Sequence, residues 1–199
     1  LKIIYYQGKL NMLFKKFIFF VTTILVLLMH PAFAGPKVEF ETTVGNFTVE
    51  LDPQAAPISS ANFLKYVDAG FYSGTLFHRV IDGFMVQGGG FDQNMAEKTT
   101  RAPIKLESQN GLKNSRGTIA MARTSVPDSA TAQFFINVVD NKSLDYPSPD
   151  GHGYAVFGKV IQGMDTIDKI RAVPTTSRGM FQNMPASPII IKSAKQISS

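Results

Sequence analysis

A chain whose apolar residues recur at every second position, in short runs cut by turn residues, is constrained to build antiparallel sheet. Residues 37–43 (KVEFETT) alternate in this way, Val44-Gly45-Asn46 reads as a turn, and residues 47–51 (FTVEL) alternate again, which predicts a hairpin. Further short runs of strand character fall at residues 76–81, 84–87, 104–107, 118–123, 133–139, 154–161 and 189–194. Two segments have helical spacing instead. Residues 59–69 bring Phe63, Leu64 and Val67 to one face and end at Gly70, which suits the left-handed position after a helix. Residues 164–171 form the second. Many short strands with two helices predict a mainly β domain, a closed antiparallel barrel or a sandwich. No repeat, linker or low-complexity stretch interrupts residues 35–199, which read as one domain.

Residues 1–34 read differently. Four of the chain's 20 basic residues (Lys2, Lys9, Lys15, Lys16) and none of its 15 acidic ones lie there, so the rest balances 16 basic residues against 15 acidic. The basic excess belongs to this leader, and the domain has no electrostatic reason to bind nucleic acid. After Lys15-Lys16 comes an apolar run from Phe17 to Met29, shorter than the roughly 20 residues a membrane span needs. Ala32-Phe33-Ala34 then fits a signal-peptidase site. The expectation is an upstream extension and a cleaved signal peptide over residues 1–34, and a mature chain from Gly35 without a membrane anchor. The chain has no cysteine, which removes disulfides, thiolate nucleophiles and a lipid anchor on cysteine.

The usual carriers of chemistry are sparse. His78 and His152 are the only histidines after the leader, and neither has metal-ligand spacing around it. No GxSxG, GxGxxG or GxxxxGK[ST] pattern occurs, although Gly88-Gly89-Gly90 follows a strand. What remains is an arginine and two glutamines on strands. In residues 133–138 (QFFINV), period 2 puts Gln133, Phe135 and Asn137 on one face and Phe134, Ile136 and Val138 on the other. Met85 and Gln87 likewise share a face. An apolar pocket edged by amides and one arginine suits a neutral ligand held through its backbone.

The segments FHRVIDGFMVQGGGF, GTIAMAR and SATAQFFIN resemble the cyclophilin family of peptidyl-prolyl isomerases. With NGLKNSRGTIAMART and GYAVFGKVIQGMDTIDKI added, the chain closely resembles the periplasmic cyclophilins of Gram-negative bacteria over nearly all of residues 38–195. The resemblance implies a closed eight-stranded antiparallel barrel capped by two helices, with the groove on its outside. It implies Arg79 as the catalytic residue and Phe84, Met85, Gln87, Ala122, Gln133, Phe135, Leu144 and Tyr154 as the substrate pocket. No metal and no cofactor is implied. The expected partners are proline-containing peptides and unfolded exported proteins, the expected location is the periplasm, and the expected state is a monomer. A second reading is a proline-peptide-binding or chaperone module with little turnover, which an intact Arg79 disfavours. A third, an exported hydrolase, rests only on His78 and scattered serines.

One register question bears on the site. A two-residue turn at Asp82-Gly83 would place Arg79 opposite Val86, on the wrong face for Gln87. A bulge or longer loop between Val80 and Phe84 is therefore predicted.

Ser143 departs from the family, where a large aromatic, often tryptophan, is usual; Asp82 stands where proline commonly precedes the hairpin glycine. In members that bind the cyclic peptide cyclosporin tightly, that tryptophan packs on the drug and donates its indole N–H. This chain has no tryptophan. The missing hydrogen bond costs about 0.5–1.5 kcal/mol, and the missing contact about 1.5–3 kcal/mol. Cyclosporin is thus expected to bind about 30- to 1000-fold more weakly than to a tryptophan-bearing member. Titrating the drug against isomerase activity tests this, and Ser143→Trp should tighten the drug more than it raises turnover.

Overall fold

The computed structural model describes residues 35–148 and 150–198. The leader, with its expected cleavage site, lies outside the described residues. The strands are β1 (Lys37–Thr42), β2 (Gly45–Leu51), β3 (Phe77–Ile81), β4 (Met85–Gly88), β5 (Thr118–Met121), β6 (Phe134–Asn137), β7 (Val156–Gln162), β8 (Thr175–Arg178), β9 (Phe181–Pro185) and β10 (Ile191–Ile197). The helices are α1 (Pro57–Asp68) and α2 (Met164–Arg171). Eight strands form one antiparallel sheet in the order β10-β1-β2-β7-β5-β6-β4-β3, while β8 and β9 make a separate hairpin.

The sheet curls around one apolar core. Phe40 and Phe47, cross-strand partners on β1 and β2, stack with centroids 4.7 Å apart and rings 4° from parallel. Phe63 of α1 meets Phe134 of β6 edge-on at 5.8 Å and Phe157 of β7 at 5.1 Å. Ile167 and Ile170 of α2 join the same core, so both helices turn their apolar stripes inward. α1 packs against β7 and β10, and α2 against β2, β3 and β4.

The expected closed barrel is corrected to a half-barrel. The edge strands β3 and β10 do not pair as strands. Residues leading into them meet at one bridge, Leu76 with Ile190, flanked by the bonds Gly74 N–H to Ile191 O (2.8 Å), Ile191 N–H to Thr75 O (2.8 Å) and Phe77 N–H to Ile189 O (3.0 Å). The chain enters this seam through Pro185 and Pro188, which have no N–H to extend a ladder.

Two local expectations also change. α1 begins at Pro57, two residues before Ser59, because proline is pre-shaped for a first helical turn. Residues 104–107 are not a strand; Ile104 makes one bridge to Ala130. Glu107 instead caps α1, accepting from Ile58 N–H (2.9 Å), Ser59 N–H (2.7 Å) and the Ser59 hydroxyl (2.7 Å). The preceding residue, Ala56, has no side chain able to cap the helix. Glu107→Ala should therefore cost about 1–2 kcal/mol, read as a lower urea midpoint with an unchanged slope.

Candidate active site

The β3–β4 hairpin places the arginine. Ile81 pairs with Met85, so residues 82–84 form a three-residue loop, the longer loop predicted from the sequence, and Arg79 stands opposite Gln87. Gly83 makes that loop possible at φ +73°, and Phe84 N–H closes it onto Ile81 O at 3.1 Å. Asp82 has a structural use: it accepts from Arg171 of α2 at 2.7 Å, pinning the hairpin tip to the helix.

Side chains on the outer face of this sheet form a second apolar cluster, separate from the core. Met85, Ala120, Phe135, Leu144 and Val156 are buried there, with Phe84, Ala122 and Tyr154 packed against them. They floor a hollow of about 240 Å³ lined by Arg79, Phe84, Met85, Gln87, Ala122, Arg123, Phe135, Leu144 and Tyr154. Eight of the nine anticipated residues thus come together. Tyr154 meets Phe135 edge-on at 5.7 Å.

The ninth, Gln133, is not a wall of this hollow and acts through Gln87. Gln87 Nε2 donates to Gln133 Oε1 at 3.0 Å, and Arg79 approaches Gln87 Oε1 at 3.4 Å, forming a relay of amides behind the guanidinium. A Cβ at Gly90 would lie 2.5 Å from Gln133 Cγ, so the glycine run serves packing rather than phosphate binding. Ala122 N–H is held by Gln133 O at 3.0 Å, which joins the ends of β5 and β6.

Buried amides support the pocket from beneath. Asn141 Nδ2 lies 2.7 Å from both Phe84 O and Asn137 Oδ1, while Asn137 donates to Thr118 Oγ1 at 2.9 Å. Leu144 N–H bonds Asn141 O at 2.9 Å, and Tyr154 N–H bonds Leu144 O at 2.9 Å. The wall residues Phe84, Leu144 and Tyr154 are thereby tied into one backbone network.

Arg123 is the lining residue that sequence reasoning misses. Its side chain is 1% exposed, its guanidinium sits 4.5 Å from the Tyr154 ring centroid, and it donates to Gly153 O at 3.0 Å and Asp150 at 2.7 Å. The hydrogen bond from Arg123 holds the Asp150 carboxyl down at about 2. Arg123 fixes the loop that delivers Tyr154. No sequence signal links it to an acid 27 residues away.

Residues 37–196 match the family model for cyclophilin type peptidyl-prolyl cis-trans isomerase/CLD. The chain belongs to the cyclophilin family of peptidyl-prolyl cis-trans isomerases. It is 58% identical over 170 residues to a peptidyl-prolyl cis-trans isomerase of Acinetobacter baylyi, covering 85% of this chain and 90% of that one. Isomerase A of Dickeya dadantii is 55% identical over 180 residues, covering 89% of this chain and 94% of the relative. A cyclophilin-type isomerase of Cryptosporidium parvum, solved in the presence of the dipeptide Ala-Pro, superimposes with a TM-score of 0.68 at 28% identity, covering 82% of this chain and 99% of that one.

His78 in this cyclophilin lies outside the inner core. It is 5% exposed, packs on Phe91 with centroids 4.7 Å apart, and leaves its Nδ1 without a hydrogen-bond partner among the described residues. Burial pushes the imidazole down to about 4; the Arg79 charge acts in the same direction, against a hydrogen bond to the Leu76 backbone. A histidine that stays neutral when folded but protonates near 6.5 when unfolded favours the unfolded state as pH falls below 6.5, and the loss levels off below about 4. Between about pH 7.5 and pH 5 the protein should lose about 2 kcal/mol of stability from this group. Denaturation curves across that window should be much flatter for His78→Gln.

Proposed function

We propose that this cyclophilin accelerates rotation about X-Pro bonds in exported polypeptides, assisting their folding in the periplasm, with Arg79 as the catalytic donor. The observation that carries the assignment is an arginine without a carboxylate partner among the described residues, at the lip of an apolar hollow and backed by neutral amides. Rotation is slow because twisting the amide destroys its resonance, a barrier of roughly 18–20 kcal/mol. In the twisted state the proline nitrogen regains a lone pair that neither planar isomer has. A donor aimed at that nitrogen stabilises the transition state selectively, which is what lowers a barrier.

Arg79 can donate without losing a proton of its own, and a carboxylate beside it would compete for its N–H groups. One preorganised donor is worth about 3–4 kcal/mol. Phe135, Met85 and Leu144 take the proline ring, Phe84 and Tyr154 close the sides, and Gln87, steadied by Gln133, orients the guanidinium. Ala122 and Gln133 lie where a peptide backbone would run past the pocket. Substrates are proline-containing segments of unfolded chains, in keeping with the Ala-Pro dipeptide named with the Cryptosporidium structure.

The periplasmic assignment rests on the leader's composition and on where the domain engages the chain. Pro36 O accepts from Leu51 N–H at 2.9 Å, so the fold takes hold within two residues of the expected cut. Mature protein recovered from a periplasmic fraction should begin at Gly35.

Arg79→Ala is expected to lower kcat/KM on a short X-Pro peptide about 100- to 1000-fold. The half-buried side chain makes no ion pair among the described residues, so stability should change by only about 0.5 kcal/mol. A folded Arg79→Ala protein that isomerises at the wild-type rate would remove Arg79 from the mechanism.

A further inference from the structure

Arg79 lines a second hollow as well, of about 300 Å³, formed with His78 and Phe91 on one side and residues 180–183 at the turn of the β8–β9 hairpin on the other. The pairing of β3 with β4 shifts between Phe77 and Arg79, so His78 and Arg79 together face Gln87. That bulge takes His78 out of strict alternation and sets it beside Arg79. Phe91 carries the contact onward, meeting His78 at 4.7 Å and Phe181 at 5.2 Å, both edge-on.

The hairpin adds little to the core, for β8 is exposed at every position. What it holds out is Met180, 88% exposed, beside this hollow. An unbranched thioether adapts to whatever apolar shape it meets.

We infer that this hollow is a second subsite of the same groove, taking an apolar side chain, aliphatic or aromatic, from the polypeptide next to the X-Pro bond. The inference rests on the isomerase site described above and adds sequence selectivity to it. Continuity through Arg79 is the first argument: the residue lines both hollows, and two or three extended residues of a bound chain span roughly 7–10 Å, about the reach of one arginine side chain and its neighbours. The lining is the second. Beside Arg79 and the amides of Gln182 and Asn183, two aromatic rings, an imidazole that stays uncharged at neutral pH and a thioether give an apolar side chain several surfaces.

The test is a host peptide of alanines around one proline, with Leu, Phe or Glu placed singly at each of three positions on either side. Isomerisation is measured by NMR exchange, without a coupled protease, and the methionine methyl signals are followed. Leu or Phe at one position should raise kcat/KM about tenfold over the host, and Met180→Ser should bring that ratio close to one. The Met85 methyl should respond to every proline peptide, the Met180 methyl only to those with the apolar residue correctly placed. A flat profile, a preference that survives Met180→Ser, or a preference for Glu would overturn the subsite while leaving the isomerase site standing. Failure to turn over the alanine host would instead overturn the isomerase site, and the subsite with it.

Discussion

Side chains on a strand alternate between faces, so a slip of one residue in the pairing of β3 with β4 would move Arg79 away from Gln87 and abolish the groove. Three separate features hold that register. Gly83 permits the three-residue loop, Asp82 ties the loop to Arg171 of α2, and Asn141 reaches from its own loop to the carbonyl of Phe84. The hairpin is therefore clamped from a turn, from a helix and from a buried amide. It carries Arg79 as well as three further residues that line the hollow, Phe84, Met85 and Gln87.

Three other arginines of this domain contrast with Arg79. Arg116 pairs with Asp168 at 2.8 Å and also donates to Val138 O; Arg171 pairs with both Asp168 and Asp82; Arg123 is spent on Asp150 and Gly153. Each is a structural tie whose N–H groups are occupied. Among the described residues Arg79 has a single long contact, to an amide oxygen at 3.4 Å. A neutral partner orients a guanidinium without neutralising it, so its charge and its remaining N–H groups stay available at the lip of the hollow, as the proposed role needs.

Much of the outer-face site was legible because period 2 separates the roles of neighbouring residues. Phe134, Ile136 and Val138 go to the core while Phe135 goes to the groove, as their alternation predicts. The β8–β9 hairpin was not legible, because β8 is exposed on both faces and so has no apolar rhythm to read. Residues 104–107 carry a strand-like rhythm, yet Glu107 is aimed at a helix terminus 49 residues away in the chain. His78 sits in a strand by sequence, but the bulge that turns it beside Arg79 is set by pairing with β4, which alternation alone does not encode. Arg123 needed knowledge of where a long loop returns. Closure of the barrel was the family expectation, and the prolines entering the seam limit it to a bridge and a few backbone bonds.

That incomplete closure has a bearing on how the protein lives among its substrates. An isomerase whose proposed substrates are unfolded polypeptides would be surrounded by segments able to add themselves to any bare sheet edge, and a half-barrel has two. Here β9 packs against β3, and β10 presents exposed Lys192, Lys195 and Gln196 along a strand whose start joins β3's lead-in through the Leu76–Ile190 bridge and the few backbone bonds that flank it. Charges and a covering hairpin discourage strand addition, the route by which a bound chain becomes a trapped one. In the proposed mode of action substrate meets side chains on the sheet's outer surface instead of joining its hydrogen-bond ladder, which leaves the enzyme free to release a turned segment without co-aggregating with it.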